Sequence, residues 1–244
     1  MFLLVLVGMA KYSSYSSDGQ SINSVMANMP YSLKALFGMG SFDLSTVKGY
    51  FAVLFGYLEL ATALHAVLLG TSIIAKEERD KTTEFLMVKP VSRTMVITAK
   101  LSAAIANVII LNLVSLVSSL AIVAAYNKGK NVSDIILSMI FSMLVVQLIF
   151  LSFGMVLSTI IKNSKSSGSV AAGVLVAAFV ISRVTDLTNK LDGLNLLSPF
   201  KYFNLNDLIS GKGFHIGFVI LALVEITAFY SATYAFYKRR ELNI

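Results

Sequence analysis

Two carboxylates stand where a lipid-facing chain has least use for charge. Glu59 lies inside the apolar run Gly49–Ile74, and Glu225 inside the run Ile216–Tyr237. An acid at such a position is costly in hydrocarbon and marks an ion path, a substrate path or a contact between helices. Counted along helices that cross in the same direction, the two sit at similar depth. They are expected to face a shared polar cavity or a subunit interface, against the plainer reading of carboxyls hydrogen-bonded to neighbouring helices. An acid–histidine relay is not built locally. His65 follows Glu59 by about 240° around a helix of 3.6 residues per turn, so they do not share a face. Asn107, Asn112 and Gln147 suit hydrogen bonding between helices. The chain has no cysteine, which excludes disulfides and thiolate metal sites.

A second concentration of chemistry is the block KEERDKTTEFLMVKPVSRT, Lys76 to Thr94, set between two apolar runs and containing one of only three prolines. Glu77 and Lys81 are spaced i, i+4 in the favourable order for a helix, whereas Asp80 and Glu84 repel at that spacing. Phe85, Leu86, Met87 and Val88 form an apolar run, Pro90 stops the helix, and Ser92 can cap the next one. The pattern predicts a short charged helix carrying an exposed hydrophobic knob, a docking surface more than a solvated loop. The plain alternative is a charged helix that marks the membrane boundary.

The elements that must position these residues are membrane helices. The chain of 244 residues is 56% hydrophobic and only 14% charged, with mean hydropathy +0.77. One soluble core could not hide that much apolar surface. A crossing needs about 20 apolar residues. The expected fold is an all-α membrane protein, one transmembrane domain over 1–244, with spans at 1–16, 49–74, 97–125, 135–161, 168–182 and 216–237. The apolar part of the first is short and stops at Lys11, so this helix is expected to be truncated, with a cytoplasmic piece ahead of it. The fifth is also short. Segments 17–48 and 183–215 are expected outside the membrane, as interfacial or re-entrant helices or as a packed cap.

Basic residues set the orientation. With 76–94 cytoplasmic, Lys and Arg are densest on the short inner segments, including Lys162, Lys165 and the terminal Lys238, Arg239 and Arg240. Both termini then lie in the cytoplasm, and the net charge of +7 reads as membrane orientation with no call for nucleic acid. Asn131-Val132-Ser133 matches a glycosylation sequon, but chance matches are common and it lies close to the membrane.

The run Glu77 to Arg93 resembles the signature of the ABC-2 type family of ABC transporter permeases, approximately E-x-x-x-G-T-x-E-x-L-L-x-x-P-[VI]-S-R. Glu77, Thr82, Glu84, Leu86, Pro90, Val91, Ser92 and Arg93 match it. Lys81 stands where many members have glycine, and Met87 where leucine is usual. Pro30–Leu44 followed by Gly49-Tyr50, and LSPFKYF at Leu197–Phe203, add to the likeness, which covers the chain apart from a missing start.

The resemblance implies a mechanical part. The 76–94 segment would be a cytoplasmic coupling helix between the second and third spans, seated in a groove of a separate ATP-binding subunit. Phe85 and Leu86 would provide shape, and Glu77, Glu78, Arg79, Thr82, Glu84, Pro90 and Arg93 charge, register and boundary. ATP and magnesium would be bound by that partner, because this chain has no G-x-x-x-x-G-K-[ST] loop and is not itself an enzyme. A second copy or a related permease would complete the path. Gly168, Ala172, Gly173 and Ala177 set small residues four apart, for packing within the chain or along the seam of the pair. The setting implied is a bacterial plasma membrane. Two other readings bear weighing. An ion-coupled carrier would use Glu59 and Glu225. An intramembrane protease similar to those with E-E-x-x-x-R would use Glu77 and Glu78, but Thr82 holds the arginine position.

Overall fold

A computed structural model describes residues 1–17, 28–39, 42–80, 91–127, 132–161, 163–187 and 189–239. Among them there is helix and no strand. The helices are α1 (Phe2–Ser17), α2 (Tyr31–Leu36), α3 (Val47–Arg79), α4 (Arg93–Tyr126), α5 (Ser133–Ile160), α6 (Ser164–Thr185), α7 (Leu205–Ile209) and α8 (Ile216–Arg239). Two 3₁₀ turns, Asn189–Leu197 and Pro199–Lys201, join α6 to α7.

Among the described residues, five helical stretches are long and apolar enough to cross a membrane: Val47–Lys76, Arg93–Tyr126, Ser133–Ile160, Ser166–Thr185 and Ile216–Arg239. The stretch expected at 168–182 is longer than its apolar run, because serines before Gly168 continue the helix backward. The stretch 1–16 is helical, but apolar only over Phe2–Tyr12, about half the length a crossing needs. The structure therefore provides five helices of spanning length together with α1, where six spans were expected.

Contacts divide the chain into two compact units. The first comprises Met1–Ala61, Leu111–Met143 and Ala178–Val219. Its core joins Val5, Met9 and Tyr12 of α1 to Phe51 and Phe55 of α3, Ile122 of α4, and Met139 and Met143 of α5. Gly8 lets α1 lie close to α3, since a Cβ there would meet Leu54 Cδ2 at 2.6 Å. Tyr50 then donates its hydroxyl to Gly8 O at 3.0 Å, and Tyr12 donates to Ser45 O at 2.9 Å. Thr46 caps α3, its Oγ1 accepting from Gly49 N at 3.1 Å. Just before it, hydrogen bonds from the Ser45 hydroxyl and amide hold the Asp43 carboxyl below the usual carboxylate range.

The stretch between α6 and α8 is a packed cap of this unit. Ser198 donates to Ala178 O at 2.8 Å, and Tyr202 is buried, stacked on Phe218 with ring centroids 5.3 Å apart. Asn204 caps α7 by accepting from Asn206 N at 3.0 Å. Within LNLLSPFKYFNLNDLI, Tyr202 and Phe203 are buried and Leu196 and Leu197 exposed.

The second unit comprises Thr62–Ile110, Leu144–Ala177 and Ile220–Ile244. Ala66, Ile74, Ile97, Ala104, Val108, Leu151, Met155 and Tyr237 form its core. Here α3 and α5 touch backbone to backbone. A Cβ on Gly70 would run into Leu151 O, and one on Gly154 into Val67 O. The same crossing is fastened by Ser158, whose hydroxyl donates to Thr71 O at 2.8 Å. In an apolar setting, where burial drives no helix association, such close approach is how helices hold together.

Candidate functional site

Three groups of residues carried functional expectations, and the structure treats them differently. The first is the charged block. α3 runs on into it without a break, so Glu77, Glu78 and Arg79 form the last turn of that long helix. Thr82, Glu84, Phe85, Leu86 and Pro90 lie outside the described residues. The far stem is described. Ser92 caps α4 as expected, its Oγ accepting from Met95 N at 3.1 Å. Arg93 turns away to donate from Nη1 to Lys238 O at 3.2 Å, on the last turn of α8. Two turns further along α4, Lys100 donates from Nζ to Ile73 O at 2.7 Å and to Ile74 O at 3.2 Å on α3. Both stems of the block are thus tied to helices of the same unit by cations on carbonyl oxygens, and at Lys238 O the C-terminal end of α8 favours the cation electrostatically.

The second group is the pair of intramembrane acids. Glu59, only 7% exposed, lines a cleft of about 90 Å³ in the first unit. Arg183, Asp186 and Lys201 share the lining. Arg183, at the end of α6, lies over the Phe179 ring at 4.8 Å and interacts electrostatically with Glu59. Its Nη1 stands 3.8 Å from Asp186 Oδ2, and the other oxygen of Asp186 pairs with Lys201 Nζ. The backbone of Asp186 accepts from the Tyr31 hydroxyl at 3.1 Å, which joins α2 to the cluster.

Two glycines make room for the guanidinium. A Cβ on Gly56 would meet Nη2 at 3.1 Å, and one on Gly38 would meet Nη1 at 2.8 Å. Gly38 also has φ +70, a conformation that glycine tolerates best. Arg183 Nε is buried with no hydrogen-bond partner among the described residues. Chemically, the cleft presents two cations and two carboxylates within one polar recess walled by aromatic rings. Such a set can fasten the cap to the helix ends or receive a small polar group.

Glu225 is half-buried on α8 in the second unit and is not among the residues lining this cleft. His65 is exposed where Glu59 is buried, as their angular separation requires. Arg183, Asp186 and Lys201 were not singled out from the sequence as a site. The signal available was an arginine and an aspartate at i, i+3 directly after an apolar run, with a lysine inside LSPFKYF.

The third group is the row of small residues on α6. Gly168 packs inward, where a Cβ would stand 3.8 Å from Leu68 Cδ2 and Thr71 Oγ1. Gly173 has open space at its Cβ position, and Ala177 is exposed. The row therefore splits between two faces, because a spacing of five from Gly168 to Gly173 turns the helix past one face.

A helical chain with five apolar stretches of spanning length and a charged interruption between the first two of them fits one known pattern along its whole length. A family model described as ABC-2 family transporter protein matches residues 1–242. The chain belongs to this family. Comparison with curated proteins gives no match. As an ABC-2 family permease it is a multi-pass membrane component of an ABC transporter. Members of the family are not generally enzymes, and they associate with an ATP-binding subunit.

Proposed function

We propose that this permease is the membrane-spanning subunit of an ATP-driven exporter, working as a pair with a second copy or a related chain. A separate ATP-binding subunit, carrying ATP and magnesium, engages the 76–94 segment on the cytoplasmic side. Closure of two such subunits on nucleotide pushes on that segment and moves the attached helices between inward-facing and outward-facing arrangements. The observation that carries this reading is the family match over 1–242, together with the residues of the Glu77–Arg93 signature. It is supported by the way the stems are built, with α3 continuous to Arg79 and α4 capped at Ser92, so little slack lies outside the segment to absorb a push. On this reading both termini are cytoplasmic and the membrane is a bacterial plasma membrane.

The test is copurification. The permease retains an ATP-binding protein through detergent extraction, and Phe85→Asp together with Leu86→Asp releases it while leaving the permease folded. Retention despite both substitutions would remove the segment from the interface.

The buried Glu59 beside Arg183 keeps a second reading in view, an ion-coupled carrier using Glu59 and Glu225. Transport that continues without ATP and follows an ion gradient would favour it.

A further inference from the structure

The first two turns of α4 are bound to α8 by polar contacts that the apolar pattern of either helix does not call for. Arg93 Nη1 donates to Lys238 O at 3.2 Å, and one turn on, Thr98 Oγ1 and Tyr234 Oη share a hydrogen bond of 2.8 Å. Between them Tyr237 of α8 is buried in the same core cluster as Ile97 of α4. All of these residues belong to one compact unit. The guanidinium sits against the C-terminal end of α8, where the helix dipole favours a cation. Hydrogen bonds have preferred distances and angles, whereas apolar contacts permit sliding. A joint of this kind resists shear.

Lys100 makes the matching tie on the other side, to Ile73 O and Ile74 O of α3. The start of α4 is therefore a node with one polar tie to the helix entering the charged segment and two to the last helix of the chain. A load on the segment reaches α8 through that node without passing through the segment's own connection.

We propose that Arg93 and Thr98 are positioning residues that carry movement of the start of α4 into the 220–239 stretch of α8, making the last helix part of the driven lever. This rests on the coupling reading given above and names residues through which it operates. In that reading Arg93 was assigned to the interface with the ATP-binding subunit. The contact with Lys238 O gives it an internal task instead.

The absence of cysteine from the chain makes the test direct. Single cysteines at Met95→Cys on α4 and Phe236→Cys on α8, both at exposed positions, accept an environment-sensitive fluorophore. The labelled permease is reconstituted with its ATP-binding subunit in nanodiscs, and emission is compared between ADP and ATP with vanadate. Both positions are expected to respond. With Arg93→Met and Thr98→Val combined, the response at 236 is lost; with Thr98→Val alone, which leaves the 76–94 segment unaltered, the response at 95 persists. Thr98→Ser with Arg93 intact, which keeps both ties, retains the response at 236. Should the double variant fail to assemble, Thr98→Val alone removes one hydroxyl and is expected to diminish the response at 236 selectively. An undiminished response at 236 in either variant overturns the inference while leaving the coupling reading standing. No response at 95 in the unsubstituted protein overturns the coupling reading, and the inference with it.

Discussion

Arg183 is the residue on which the first unit's polar chemistry converges. It pairs with Asp186, interacts electrostatically with Glu59, lies over a phenyl ring, and occupies space left by Gly38 and Gly56. Removing one member of a partly buried charge cluster strands the others, and the loss exceeds what the intact pair contributes. Arg183→Ala is expected to destabilise the detergent-solubilised protein by about 1–3 kcal/mol, read from thermal unfolding. Arg183→Ala combined with Asp186→Asn is expected to recover part of that loss, because the carboxylate left without this cation is gone. An unchanged melting temperature in the single variant would show that Asp186 and Lys201 hold the cap without it. At this scale the sequence was partly legible. Glu59 was identified by its place in an apolar run. Its cation could not be, because Arg183 lies far from it in the chain and begins the 183–215 segment expected outside the membrane.

At the scale of elements, the α3–α5 crossing is decided by two glycines that face backbone. Gly70 and Gly154 abut carbonyl oxygens of the opposite helix, which cannot move aside as a flexible side chain could. Gly70→Ala and Gly154→Ala are each expected to cost about 1–3 kcal/mol through overpacking. Gly173→Ala, with open space at its Cβ position, serves as the contrast. Thermal unfolding of the three variants separates the cases, and equal stability of all three would place the crossing elsewhere. The small residues read from the sequence were those on α6, where spacing of four suggested a contact face. The glycines that make the α3–α5 crossing, in LLGTS and SFGMV, also have small residues four away, Ala66 and Ser158, and were not singled out from the sequence. Small residues four apart recur on several helices of this chain, and only the packed structure shows which of them meet backbone.

For the molecule as a whole, the outward half of the small row bears on pairing. Gly173 and Ala177 face away from the chain's own helices, which is what a seam with a second copy requires. Gly173→Leu is expected to abolish the pair, seen as a shift to the monomer in light scattering of the solubilised protein, while the melting of the monomer is retained. A pair that survives this substitution is joined by another face. The interface proposed at 76–94 is tested independently by the Phe85 and Leu86 substitutions, so loss of the proposed pair and loss of the ATP-binding subunit are separable outcomes.

What the amino-acid order settled by itself is the solvent and the class. A run of about 20 apolar residues has no stable place but a bilayer or a large core, and backbone groups in hydrocarbon must pair within the segment. The membrane class, the spanning stretches of α3, α4, α5 and α8, and the cap at Ser92 follow from local chemistry of that kind. The family resemblance was legible for a related reason, since its signature is a contiguous string. Only the tertiary structure decided which residues meet. The cleft around Glu59 joins residues from α2, α3, α6 and the cap, and the tie from Arg93 to Lys238 spans most of the chain. Electrostatic attraction and close packing depend on distance through space, and one sequence read along its length carries no record of that distance.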